Sequence, residues 1–275
     1  METAEGSGGK TQPVERVLAL LRSELFGEDL EYIFNGVVSE PANPSQSRDG
    51  RISLIDMNQR YGAAFEASKG RGSLFYDKNV VDSLEPSDAA LEGTSGFNRS
   101  VLIQIVTYGV FITREREDIF IFASDIGKED HSLRADKLGG LTNIGWGGHV
   151  SNARYREWVE NGTIPSPFSL LEDTHINELA QEVHLKDHYQ YTRDLGWVYC
   201  SASPDGITPR HLGHINLVFM RNRSALTDAA QPSEQKKSMN PRWMLLEEIA
   251  RSSKQAPWTQ EVVPVISYFA RRNLL

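Results

Sequence analysis

The chain has 275 residues, 39% hydrophobic and 24% charged, which is enough apolar content to bury an ordinary core in one large or two small domains. A formal net charge of -8 and a pI near 5.4 disfavour a nucleic-acid backbone as the main partner. An anionic small molecule remains compatible if a metal and a few local cations neutralise it. The single cysteine, Cys200, excludes an intramolecular disulfide and fits a reducing compartment, and no apolar run approaches the ~20 residues needed to span a bilayer.

The head from Met1 to about Gln12 is acidic and glycine-rich and lacks the basic and apolar regions of a secretory signal. A flexible segment over 1–13 and a cytoplasmic protein are therefore expected. Val17, Leu18, Leu20 and Leu21 fit a helix over Val14–Leu25. Pro41, Asn43, Pro44 and Ser45 make Glu40–Gly50 loop-like, and the signals from Phe65 to Asn98 are mixed. Val101–Thr113 and Ile119–Ala123, rich in valine, isoleucine and phenylalanine, predict adjacent strands. Gly196–Ala202 and His214–Arg221 predict two more. Between the pairs lies an acidic helix around Glu178, with Ser169 placed to cap it and Glu172 to complete a capping box. A polar loop over Thr227–Asn240 precedes helices near Trp243–Arg251 and Gln260–Arg271. Mixed strands flanked by helices predict an α/β sandwich.

The most informative segment runs from Leu141 to Leu185. A glycine turn, Gly145-Trp146-Gly147-Gly148-His149-Val150, comes before the helix Asn177-Glu178-Leu179-Ala180-Gln181-Glu182-Val183-His184-Leu185. Glu178 and Glu182 are four residues apart and share one helical face, while Ile176, Leu179 and Val183 form an apolar stripe. A carboxylate ridge beside a glycine loop can hold a hard cation.

These two pieces together resemble the signature of the Nudix hydrolases, in which a Gly-Gly turn precedes a helix reading Arg-Glu-apolar-x-Glu-Glu-x-Gly-apolar. Glu178 and Glu182 match two of the signature glutamates. Asn177, Gln181 and His184 stand where the signature has arginine, glutamate and glycine. Further blocks are similar, in order, to a bacterial branch of that superfamily labelled phosphoesterase: Glu24-Leu25-Phe26-Gly27, Lys137-Leu138-Gly139-Gly140, Gly196-Trp197-Val198-Tyr199, His211-Leu212-Gly213-His214-Ile215 and Ala256-Pro257-Trp258. The likeness covers roughly Leu18 to Leu275. It implies a Nudix-like α/β/α sandwich around a mixed β-sheet over 101–275, with an N-terminal extension over 14–100 packed on it.

The resemblance further implies a metal-dependent hydrolase that cleaves a phosphoanhydride bond in a nucleotide or related phosphorylated small molecule, with Mg2+ or Mn2+ as the cofactor. Glu178, Glu182 and a backbone carbonyl near Gly148 would be the metal ligands, and Gly147, Gly148 and His149 would face the phosphates. Gln181 cannot act as a general base at neutral pH, because an amide accepts from a metal or donates to a phosphate only. The alternative is therefore a catalytically weakened domain that binds or senses a nucleotide without hydrolysis. His175, three residues before Glu178, could replace the missing base or ligand, or be structural. Lys137 could hold a phosphate or be solvated. Trp146 and Tyr199 could stack on a base or pack in the core. His149 either orients the turn or contacts phosphate. His211 and His214 could ligate a metal but suit a structural role better, and a buried Cys200 thiol would be inert. A homodimer is the default among soluble oligomers.

Overall fold

A computed structural model of the protein describes residues 14–27, 36–40, 52–83, 102–127, 138–183, 189–200, 208–226 and 238–275. The first segment holds strand β1 (Arg16–Leu21) and a short helix α1 (Arg22–Phe26), followed by β2 (Gly36–Val38). Helix α2 (Leu54–Gly70) starts from a capping box in which the Ser53 hydroxyl accepts from the Asp56 N–H and the Asp56 carboxylate accepts from the Ser53 N–H. β3 (Phe75–Asp77) and α3 (Lys78–Ser83) follow. The central part contains β4 (Leu102–Glu115), β5 (Asp118–Ile126), β6 (Thr142–Asn143), α4 (Asn152–Glu160) and α5 (Pro167–Val183). β7 (Tyr189–Tyr199), β8 (His211–Met220), β9 (Ser238–Leu245), α6 (Leu246–Arg251) and α7 (Pro257–Arg271) complete the chain.

The strands form one nine-stranded mixed sheet in the order β2-β7-β8-β4-β1-β3, with β5 joining β4, β6 and β9. β4 is its spine. Its long run of β-branched and aromatic residues is buried from Leu102 to Thr113, as a strand covered on both faces requires. One edge of β4 pairs in parallel with β8 over Gln104–Ile112. The other edge meets three successive partners: β1 at Leu102–Gln104, the Gly145–Val150 segment at Ile105–Gly109, and β5 at Ile112–Glu115. The glycine segment thus fills the gap between β1 and β5.

Helices cover both faces. On one face α2 and the start of α5 bury Met57, Tyr61, Phe65, Leu170 and Leu171 against Ile103, Ile105 and Trp197. On the opposite face α7 lays Val262, Val265, Ile266 and Phe269 over Tyr108, Val110 and Ile112. Phe111, Phe122, Trp146, Leu179 and Val183 make a third core beneath the end of α5. This is the α/β sandwich expected from the sequence. Among the described residues, no helix is long and apolar enough to cross a membrane.

Several local expectations are corrected. Val14–Leu25 is not one helix: Val17, Leu18, Ala19 and Leu20 are wholly buried in β1, between β4 and β3. Helix α5 begins at Pro167 rather than at Ser169. Ser166 caps it, its hydroxyl accepting from the Ser169 N–H at 3.1 Å. Trp243–Leu245 belongs to β9, and the helix starts only at Leu246. Ile176 does not join the apolar stripe of α5; it is 51% exposed, while Leu179 and Val183 are buried.

Candidate functional site

The Gly145–Val150 segment runs extended beside β4 rather than closing a tight turn. Trp146 exchanges two backbone hydrogen bonds with Gly109 (2.7 and 2.8 Å), and the Gly148 carbonyl accepts from the Thr107 N–H at 2.9 Å. Extended chain sends alternate residues to opposite faces of the sheet. Trp146 and Gly148 face α5, whereas Gly147 and His149 face the α7 side. The glycines follow from close approach on each side. Gly147 has φ +150°, and a Cβ there would overlap the Thr107 carbonyl.

Gly148 is the point where the segment meets α5. A Cβ on it would lie 2.7 Å from the Glu178 carboxyl carbon and 3.0 Å from Oε1, so only glycine lets this carboxylate rest on the backbone. Glu182, one turn further along α5, is half-buried like Glu178, while Gln181 is exposed. Asn177 turns away from both carboxylates, its amide donating to the Asp173 carbonyl on its own helix at 2.6 Å. Asp173 receives a two-pronged ion pair from Arg154, at 2.9 Å from Nε and 2.7 Å from Nη2, which ties α4 to α5.

His175 is not on the solvated ridge. It is 3% exposed, a Cβ on Gly109 would meet its Cε1 at 2.7 Å, and neither ring nitrogen has a hydrogen-bond partner. Burial first, and the nearby His214 second, push its pKa down to about 4, so the ring is neutral. His214 on β8 lies 3.4 Å through Nε2 from Asp194 Oδ1 on β7, contacts the amide of Asn216 through Nδ1 at 3.2 Å, and meets the Trp197 ring edge-on. Burial pushes the Asp194 carboxyl up, but the hydrogen bond and charge of His214 outweigh it, and the pKa falls below the ordinary value. Two buried imidazoles, His175 and His214, therefore lie on the α5 face of the sheet, the same face as Glu178, with the Asp194 carboxylate, 43% exposed, at their edge.

Trp146 is 3% exposed, stacks on Phe122 and donates its indole N–H to the Phe122 carbonyl at 3.1 Å; this is core packing, with no free face for a base. Tyr199 is likewise packed, on Phe26. His149 points to the α7 face, its Nε2 at 3.4 Å from that of His211. Cys200 is buried. Lys137 and His184 lie outside the described residues. Among the described residues no group of three or more His, Cys, Asp or Glu side chains is close enough to hold a metal ion. Two residues that shape the site, Thr107 and Gly109, escaped the sequence reading. Gly109 carried a signal, because a lone glycine inside a β-branched strand marks a close approach, here of His175 and Trp146.

No protein-family model matches the chain, and no curated protein sequence matches it. Solved structures do. Tm1382, assigned to the Nudix hydrolases, superposes with a TM-score of 0.52 over 93% of this chain and 100% of its own, at 15% identity. A Nudix hydrolase from Alicyclobacillus acidocaldarius gives 0.45 over 61% and 92% at 12% identity. The Nudix domain of Shewanella oneidensis NrtR, solved with ADP-ribose, gives 0.40 over 69% and 99% at 15% identity. At these identities the shared property is the fold, carried by the first superposition.

Proposed function

With a Nudix fold as the premise, we propose that this protein is a metal-dependent hydrolase of a phosphoanhydride bond in a nucleotide or related phosphorylated small molecule, working from Glu178 and Glu182. The observation that carries the reading is the Gly148 backbone pressed against the Glu178 carboxylate, a contact that a Cβ would fill. In this reading residues 101–275 carry the site, and the extension over 14–100 contributes β1, β2 and β3 to the same sheet.

The donor set fits magnesium or manganese. Such an ion needs one or two protein carboxylates, with water and substrate phosphate completing its octahedron. Glu178 and Glu182 supply two, one helical turn apart. The Gly148 carbonyl accepts from the Thr107 N–H at 2.9 Å and from the Thr107 hydroxyl at 3.5 Å, and would join the ion in place of the longer of the two. When bound, the ion neutralises phosphate oxygens and acidifies water. The exposed Gln181 amide donates to a phosphate oxygen at the mouth and takes no proton. The proton lost by the attacking water goes to Glu178 or Glu182. A phosphate contact for Lys137, expected from the sequence, belongs to the same proposal. Neutral His175 packs behind the ridge and holds α5 on Gly109, so it does not act as the base.

Phosphate release from a panel of nucleoside triphosphates, nucleotide sugars and dinucleotides with Mg2+ or Mn2+ tests the reading. Turnover should be abolished by chelation and fall at least about 100-fold in Glu182→Gln. Equal rates in both proteins refute it.

A second reading, binding without hydrolysis, is favoured by Asn177 bonding to its own helix and by an amide at Gln181. Calorimetric nucleotide binding with no metal-stimulated release selects it.

A further inference from the structure

His149 and His211 occupy the sheet face opposite Glu178. His149 pairs with Val106 on one side of β4, and His211 pairs with Gln104 on the other. Their imidazoles therefore come from different strands and meet over β4. The Nε2 atoms face each other at 3.4 Å, with ring centroids 5.4 Å apart and planes inclined by 57°. Both residues are half-buried and so reachable by an ion.

The separation of 3.4 Å lies beyond the usual hydrogen-bond range of about 2.7–3.2 Å. It matches the spacing of two nitrogens on one tetrahedral ion, about 3.3–3.4 Å when each lies about 2.0–2.1 Å from the metal. We propose that His149 and His211 form a two-imidazole chelate for a first-row transition ion of the Zn2+, Ni2+ or Cu2+ class, separate from the carboxylate pair on α5. Imidazole nitrogens select these ions, whereas paired carboxylates suit magnesium. Two imidazoles leave further positions on a four-coordinate ion for water or another ligand. Binding requires both rings neutral, with the proton on Nδ1 and the Nε2 lone pairs turned to the ion. Since His149 directly follows Gly148, an ion held there fastens the backbone under Glu178 to β8.

The full-length chain should be titrated with Cu2+, Ni2+, Zn2+, Co2+, Mn2+ and Mg2+, each against a chromophoric chelator. The expected result is one tight equivalent whose affinity climbs from Mn2+ through Co2+ and Ni2+ to Cu2+, unaffected by excess Mg2+. His149→Ala and His211→Ala should each weaken it at least about tenfold, and Glu182→Gln should leave it unchanged. Electron paramagnetic resonance of the Cu2+ protein should show two imidazole nitrogens in the wild type, a readout that does not depend on a variant folding. Fewer than two nitrogens in the wild type, or equal affinity in both histidine variants, overturns the chelate. Loss in Glu182→Gln alone relocates the ion to α5 and also overturns it. Hydrolysis with Mg2+ is scored separately and stands or falls on its own.

Discussion

Acidification should destabilise this fold through His175 well before carboxylates titrate. The ring is 3% exposed with both nitrogens unpartnered, and its pKa is pushed from 6.5 to about 4 by burial and by His214. The unfolded chain therefore takes up a proton between about pH 6.5 and 4 that the folded chain refuses. His175 stays neutral at no cost above that window, and stability falls as pH drops through it. Linkage gives a loss of about 2 kcal/mol by pH 5 and about 3 kcal/mol below pH 4. The neighbouring Asp194, whose folded pKa is depressed, contributes stability that is lost only at lower pH, as the carboxylate titrates. The pH 6.5–5 interval thus leaves the carboxylates out, and comparison with a variant lacking the imidazole isolates His175. Urea unfolding of the wild type and His175→Leu at pH 7.5, 6 and 5 measures it, and the wild type should lose about 2 kcal/mol more than the variant across that range. As a check independent of the variant, the His175 Cε1 resonance should not titrate down to pH 5. Parallel pH dependences in both proteins, or a His175 resonance that titrates near 6.5, refute the reasoning.

Three further outcomes are expected. Gly148→Ala places a methyl on the Glu178 carboxylate, which is the movable end of a side chain, so metal-stimulated turnover should fall about tenfold or more while the thermal midpoint changes little. Gly196→Ala should destabilise by about 3 kcal/mol or more in urea titration: φ is +123°, and a Cβ would lie 2.9 Å from the Val38 carbonyl carbon and overlap its oxygen, parting β7 from β2. Arg154→Ala breaks the two-pronged bond to Asp173, where the side chains are 30% and 19% exposed, and should cost about 1 kcal/mol by the same titration, reduced by high salt.

The sheet was legible where burial and chemistry coincide. β4 and β5 declared themselves by β-branched and aromatic runs and β8 by a similar one, but β7 was visible only at its end: the expected strand began at Gly196, whereas β7 begins at Tyr189 with the polar run Tyr-Gln-Tyr-Thr-Arg-Asp. β1 did not, because a strand buried on both faces reads Val-Leu-Ala-Leu-Leu, and continuous apolar sequence satisfies helical spacing equally well. The start of α5 was misplaced because Ser166 and Ser169 are both credible caps. Pro167 was the better guide, since its fixed φ suits the first helical position. At the site, the spacing of Glu178 and Glu182 was visible, and so was the glycine segment. The grouping of the two buried imidazoles with Asp194 at their edge was not. His175, Asp194 and His214 come from three elements, and only the parallel pairing of β8 with β4 and the antiparallel pairing of β7 with β8 bring them together.

The Gly145–Val150 ribbon also constrains how this protein can vary. Its residues address the two faces of the sheet alternately, with Gly148 under the α5 carboxylate and His149 beside His211. Inserting or deleting one residue inside it would exchange the two sets together, driving an imidazole toward Glu178 and lifting the carboxylate's backbone seat to the other side. Divergence in this stretch is therefore confined to substitution at constant length, and length polymorphism belongs in the connections that flank it.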